Sequence, residues 1–74
     1  MTNHVIMYAQ VLEVSTDYLL VEDLYTNQTV QVNTSCACHF CPGDRVCVHY
    51  SGAMTMSLPP QISAITICHT SSCC

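Results

Sequence analysis

Residues 5–33 read VIMYAQVLEVSTDYLLVEDLYTNQTVQVN, and this run decides the fold class. Its first ten residues, Val5 to Val14, are rich in β-branched and aromatic types. They alternate as Val5, Met7, Ala9 and Val11 against Ile6, Tyr8, Gln10 and Leu12, the two-residue period of a strand. Ser15-Thr16-Asp17 supplies a turn. Tyr18 to Asp23 reads as a second strand. Tyr25-Thr26-Asn27-Gln28 reads as a second turn, with Asn27 suited to a positive φ. Thr29 to Asn33 alternates cleanly, with Val30 and Val32 inward. Three consecutive strands joined by short turns predict a meander.

Downstream, Cys41-Pro42-Gly43-Asp44 fits a type II turn, in which proline fixes one φ and glycine takes the positive one. Residues 45–51, RVCVHYS, alternate as a fourth strand, Val46, Val48 and Tyr50 on one face and Cys47 and His49 on the other. GAMTMSLPPQ is a loop, because Pro59-Pro60 forbids regular pairing. Ile62 to His69 is the fifth strand. Residues 34–41 show no helical periodicity, so a helix between the third and fourth strands has no room. The expected class is all-β, a small five-stranded OB-like barrel, with a small β-sandwich as the fallback. Residues 1–69 form the one domain, and residues 70–74 are expected as a mobile, cysteine-containing tail.

The chain has 74 residues, and a domain of that size buries only about 60% of the surface its unfolded form exposes. Such domains commonly need a disulfide, a metal or oligomerisation as a staple. Charge is sparse: five acidic residues, one arginine and no lysine, 8% of the chain where roughly 25% is ordinary. A weakly charged, hydroxyl-rich surface is compatible with packing against copies of itself. One arginine against five carboxylates cannot neutralise a phosphate backbone, so no nucleic-acid partner is expected. No run of about 20 apolar residues occurs, so no membrane partner is expected. The first 15 residues lack a basic region and carry Glu13 inside the apolar pattern, so no cleaved signal peptide is expected.

Seven cysteines are an odd number, so complete pairing within one chain is impossible. Cys36, Cys38 and Cys41 crowd one loop, and Cys73 and Cys74 end the chain. A vicinal disulfide is strained, so the two terminal thiols would seek partners elsewhere. A loop on one subunit bonded to the tail of the next makes a head-to-tail contact, which extends into a filament or layer when the rotation does not close. Cys47 and Cys68, inside strands, would pair with each other or stay as small buried residues.

The closing half, PGDRVCVHYSGAMTMSLPPQISAITI, resembles a group of small, uncharacterised OB-like domains of Gram-positive bacteria. The shared pattern is carried by Gly43-Asp44, Tyr50-Ser51-Gly52, Ser57-Leu58-Pro59-Pro60-Gln61 and the strand Ile62 to Ile67. The resemblance covers about a third of the chain strongly and implies the fold. It brings no activity. In composition the cysteines and the SSCC tail look like cysteine-rich proteins of bacterial spore surfaces, which implies a spore or cell surface rather than cytoplasm.

Cys38-His39-Phe40-Cys41 is half of a zinc knuckle, and Cys68-His69, or Cys47 with His49, is the candidate second half. The tail thiolates suit copper(I). Against this, Cys68 and His69 are adjacent and point to opposite faces of a strand. Thioredoxin-type chemistry needs a helix after the C-x-x-C pair, whereas Pro42-Gly43 turns directly into a strand. No catalytic residue, and so no enzyme, is expected; Asp44 is expected to cap its turn. The expected function is therefore a non-catalytic, self-associating structural protein cross-linked through Cys36, Cys38, Cys41, Cys73 and Cys74, its partner being itself and no cofactor required. The alternative is a zinc or copper module built on Cys38, His39, Cys41, Cys68 and His69.

Overall fold

A computed structural model describes residues 5–70. Five strands follow in order: β1 (Val5–Val14), β2 (Tyr18–Asp23), β3 (Thr29–Asn33), β4 (Arg45–Tyr50) and β5 (Gln61–His69). A single 3₁₀ turn, Ala37–His39, lies between β3 and β4. The first three strands form the antiparallel meander that the alternation predicts. β4 then pairs with β1, and β5 lies between β4 and β3. The strand order β1-β2-β3-β5-β4 thus returns on itself as a closed barrel made of one mixed sheet.

This one sheet excludes the sandwich fallback, which requires two sheets packed face to face. It also contains a parallel pairing, β3 with β5, that local sequence does not announce. That pairing spans three register positions, Gln31↔Gln61, Val32↔Ile62 and Asn33↔Ser63. Side-chain amides run across the same seam: Gln31 Nε2 donates to Asn33 Oδ1 at 3.0 Å, and Asn33 Nδ2 to Gln61 Oε1 at 3.4 Å. The OB-like expectation is not retained, because a ring of strands carries no family membership by itself.

Two irregularities decide which residues face inward. Between Val11 and Glu13 the β1–β2 register slips by one residue. Leu12 is the extra residue, and the slip turns Val14 rather than Glu13 toward the core, as a bulge resets the two-residue period. A second slip opposite His49 and Tyr50 leaves Ile65 outside and returns Ile67 to the core side. The barrel interior is filled by Met7, Ala9, Val11, Leu19, Val21, Val30, Val32, Val46, Val48, Tyr50 and Ile62.

One mouth of the barrel is plugged by the β3–β4 link. Ala37 and Phe40 are buried there, placed by the 3₁₀ turn that the sequence reading did not foresee. A three-residue turn is too short to show a period. The predicted turns form: Asp44 N–H donates to Cys41 O at 3.0 Å with Gly43 at φ +96°, and Asn27 has φ +61°. Thr70, assigned to the tail from sequence, is held in place, its N–H donating to Arg45 O at 3.0 Å. Residues 71–74, and with them the tail thiols Cys73 and Cys74, lie outside the described residues.

Candidate interaction surface

Antiparallel neighbours alternate in direction, so the barrel has two poles. One carries the β1–β2 turn, the cysteine-bearing link and the end of β5. The other carries the start of β1, the β2–β3 turn and the β4–β5 loop.

At the cysteine pole, Cys36 N–H donates to Thr34 Oγ1 at 3.1 Å, and the chain turns through Ala37–His39. Asp44 Oδ2 accepts the Cys41 N–H at 2.9 Å and lies 3.1 Å from His69 Nε2. The Asp44 carboxyl is held below its ordinary range, first by the Cys41 N–H and then by the His69 hydrogen bond and charge. The His69 ring lies 4.7 Å from the Phe40 ring, tilted by 36°. Asp44 therefore caps its turn, as expected, and also fastens the end of β5 over the plugged mouth.

The thiols do not do what sequence reasoning assigned to them. Cys36, Cys38, Cys41, Cys47 and Cys68 are all free. The turn spends its inward positions on Ala37 and Phe40, which leaves Cys36, Cys38 and Cys41 exposed on the outer side. Cys47 and Cys68 stand directly opposite each other, half-buried and exposed respectively. The Thr70–Arg45 hydrogen bond fixes the phase of this ladder, making Cys47↔Cys68, two positions on, a hydrogen-bonded pair. Side chains in such pairs stand wider than the about 3.5–4.5 Å between Cβ atoms that a disulfide requires. The expected function of disulfide-linked assembly is thus corrected: the described cysteines present free thiols and no bonded set.

The metal alternative is corrected too. Among the described residues, no group of three or more His, Cys, Asp or Glu side chains converges to hold a metal ion. Cys38, His39, Cys41, Cys68 and His69 share a pole without forming a ligand set, and the His69 ring is already engaged by Asp44 and Phe40.

The opposite pole has a different character. In the β2–β3 turn, Asp23 Oδ1 accepts Tyr25 N–H at 2.8 Å and Thr26 N–H at 3.4 Å, while Asn27 N–H donates to Asp23 O at 2.7 Å. This tightly bonded turn holds Tyr25 with 94% of its surface exposed. In the β4–β5 loop, Thr55 N–H donates to Gln61 O at 3.0 Å and Gln61 N–H to Thr55 Oγ1 at 2.9 Å. Thr55 Oγ1 and Ser57 Oγ share a 2.6 Å hydrogen bond, and Ser57 Oγ donates to Pro59 O at 3.0 Å. Hydroxyls thus organise the loop inward, and the residues between them, Met56 and Leu58, stand 98% and 94% exposed.

Beside this loop lies a groove of about 350 Å³ lined mainly by Ile6, Tyr8, Tyr25, Tyr50 and Asp23. Tyr25 sits in the predicted second turn, Tyr50 is buried on β4, and Tyr8 faces out from β1. Sequence reasoning passed over this pole, although one signal was present. Met54, Met56 and Leu58 alternate with Thr55 and Ser57 in a stretch that Pro59-Pro60 bars from regular pairing, and apolar residues in such a loop have no core to enter.

No helix among the described residues is long and apolar enough to cross a membrane. No family model, no curated protein and no solved structure matches this chain.

Proposed function

We propose that this domain is a non-catalytic interaction module that associates with a second copy of itself through its apolar pole, without covalent links. The observation that carries the reading is the near-complete exposure of Tyr25, Met56 and Leu58 on two loops whose own backbones are hydrogen-bonded. No intramolecular contact rewards these side chains for being there. Burying each fully is worth about 1.5–3 kcal/mol, so three from each of two copies give a gross gain of about 9–18 kcal/mol. Association itself costs about 4–15 kcal/mol, a quantity of the same size, so the pair we propose is weak and reversible, with a Kd no weaker than about 1 mM.

Charge supports the choice of surface. The chain's one basic residue, Arg45, begins β4 at the opposite pole. Among the described residues, the apolar pole therefore has no arginine or lysine with which to attract nucleic acid or an anionic membrane.

The test is sedimentation equilibrium over a wide range of protein concentration, with a reductant present so that thiols play no part. The expected result is a reversible rise in average mass, from one chain toward two. A single monomeric species up to about 1 mM, the weak limit given above, would refute the reading.

A further inference from the structure

We infer that the cysteine pole carries a second binding site, a strand edge on β5 that takes an extended, uncharged peptide segment of another protein as an added strand. Its occupation does not depend on the pairing proposed for the apolar pole. The edge follows from how the ring closes. β3 joins β5 at three positions only, the last being Asn33↔Ser63, while β5 runs on to His69. On its other side β5 stays paired with β4 from Ala64 to His69. The Thr70–Arg45 hydrogen bond sets the phase of that ladder. Thr66 and Cys68 therefore turn their backbone groups toward β4, and Ile67 turns its N–H and C=O away. Ile65, the extra residue of the bulge, has no partner on β4.

The β3–β4 link does not fill the place that β3 vacates, because its backbone donors are spent elsewhere. Thr34 N–H donates to Asp17 O at 3.0 Å and Cys36 N–H to Thr34 Oγ1 at 3.1 Å. His39 N–H donates to Cys36 O at 3.1 Å and Phe40 N–H to Ala37 O at 3.2 Å. Among the described residues, no hydrogen bond reaches the outward backbone groups of Ile67. A cleft of about 290 Å³ opens instead, with Thr34, Cys36, His39 and Phe40 on one wall and Ile65 and Ile67 on the other.

The cleft selects its ligand by chemistry. Unpaired strand N–H and C=O groups are matched by a second extended backbone; a helix has already bonded its own. No Asp, Glu, Lys or Arg lines the cleft, so a charged side chain would lose water there and gain no counter-charge. Ile67 packs against the core and Phe40 is buried, which favours a small apolar residue facing them. Valine meets that need and suits a strand. The alternate residues of the ligand face outward beside exposed Thr66, where threonine suits.

Amide exchange followed by NMR tests the edge on the full chain, in reductant and at concentrations low enough to keep it monomeric. In the free protein the Ile67 amide should exchange at least about tenfold faster than those of Thr66 and Cys68. An Ile67 amide as slow as its neighbours would mean that the edge is already covered, and would overturn the site. So would protection of Ile67 that rises with protein concentration, since a second copy would then be the occupant. The probe is the capped peptide acetyl-Thr-Val-Thr-Val-Thr-amide. It should slow the Ile67 amide and shift resonances of Ile65 to Ile67 and of the facing link. Of two analogues, one N-methylated at the valines and one at the threonines, one should bind about tenfold more weakly than the other. Loss with methylated valines marks an antiparallel ligand and loss with methylated threonines a parallel one, because each orientation turns a different set of N–H groups to β5. No shifts at millimolar peptide, shifts confined to the β4–β5 loop, or two analogues that bind as tightly as the parent would each overturn the proposal.

Discussion

Phe40→Ala tests the plug on which the cysteine pole is built. Phe40 is only 6% exposed, and with Ala37 it closes one mouth of the barrel. Its ring also packs 4.7 Å from the His69 ring, so truncation opens a void at the place where the β3–β4 link and the end of β5 meet. Replacing a buried phenylalanine with alanine costs about 3–5 kcal/mol through lost transfer energy and the cavity left behind. A core of this size supplies about that much in total. At roughly 4–8 °C per kcal/mol for a domain of this length, the melting temperature should fall by at least about 12 °C. Phe40→Leu fills most of the space and should cost under about 1.5 kcal/mol. Tyr25→Ala, an equally large loss from an almost fully exposed site, should stay within about 0.5 kcal/mol. Urea unfolding followed by circular dichroism, in reductant and at concentrations low enough to keep the chain monomeric, measures all three. If Phe40→Ala matched Tyr25→Ala, the link would be a surface loop and the plugged-barrel reasoning would fail.

Asp44 gives a pH signature. Its carboxyl is lowered from the ordinary 3.8, so its contribution is fully present above that value and is lost as pH falls through the lower, folded value. Asp44→Ala should therefore be less stable than wild type at neutral pH, with a gap that closes in acid; a gap unchanged on acidification would rule this account out. The two glycines rank differently. Both have φ near +100°, but a Cβ at Gly43 meets open space, whereas one at Gly52 lies 3.1 Å from Val5 Cγ2. Each alanine substitution should cost about 1–2 kcal/mol for the backbone, and Gly52→Ala should cost more, as comparative melting will read; equal losses would contradict the packing at Val5. Finally, copies that carry a formal net charge of −4 repel, and no arginine or lysine among the described residues sits at the apolar pole to form ion pairs. Salt should strengthen dimerisation by screening, and sulfate should strengthen it further; dissociation on adding sodium chloride would mean that an ionic contact holds the pair.

Sequence reading succeeded where the decisive physics is local. Val5 to Val14, Tyr18 to Asp23 and Thr29 to Asn33 alternate with period two because each strand has one face in the core, and those strands occupy those residues. Pro42-Gly43 and Asn27 specify backbone angles that few other residues tolerate, and the turns fall there. It failed where a property depends on several segments at once. The crowded spacing of Cys36, Cys38 and Cys41 suggested bonding or ligation. The plug turns Ala37 and Phe40 inward instead and leaves the thiols outward and free. Cys47 and Cys68 do meet across a ladder, but the phase of its hydrogen bonds, set by strand register, keeps their side chains wide.

The sequence by itself therefore determined the strands, their inward faces and the tight turns, because a two-residue period and a fixed φ are written residue by residue. Only the tertiary structure decided the rest. It placed β5 between β3 and β4, set two bulges that re-aim Val14 and Ile67, and separated a capped cysteine pole from an apolar one. Those outcomes follow from closing five strands round one small core. Each strand's position there is fixed by what its neighbours leave unpaired, which no single stretch of sequence contains.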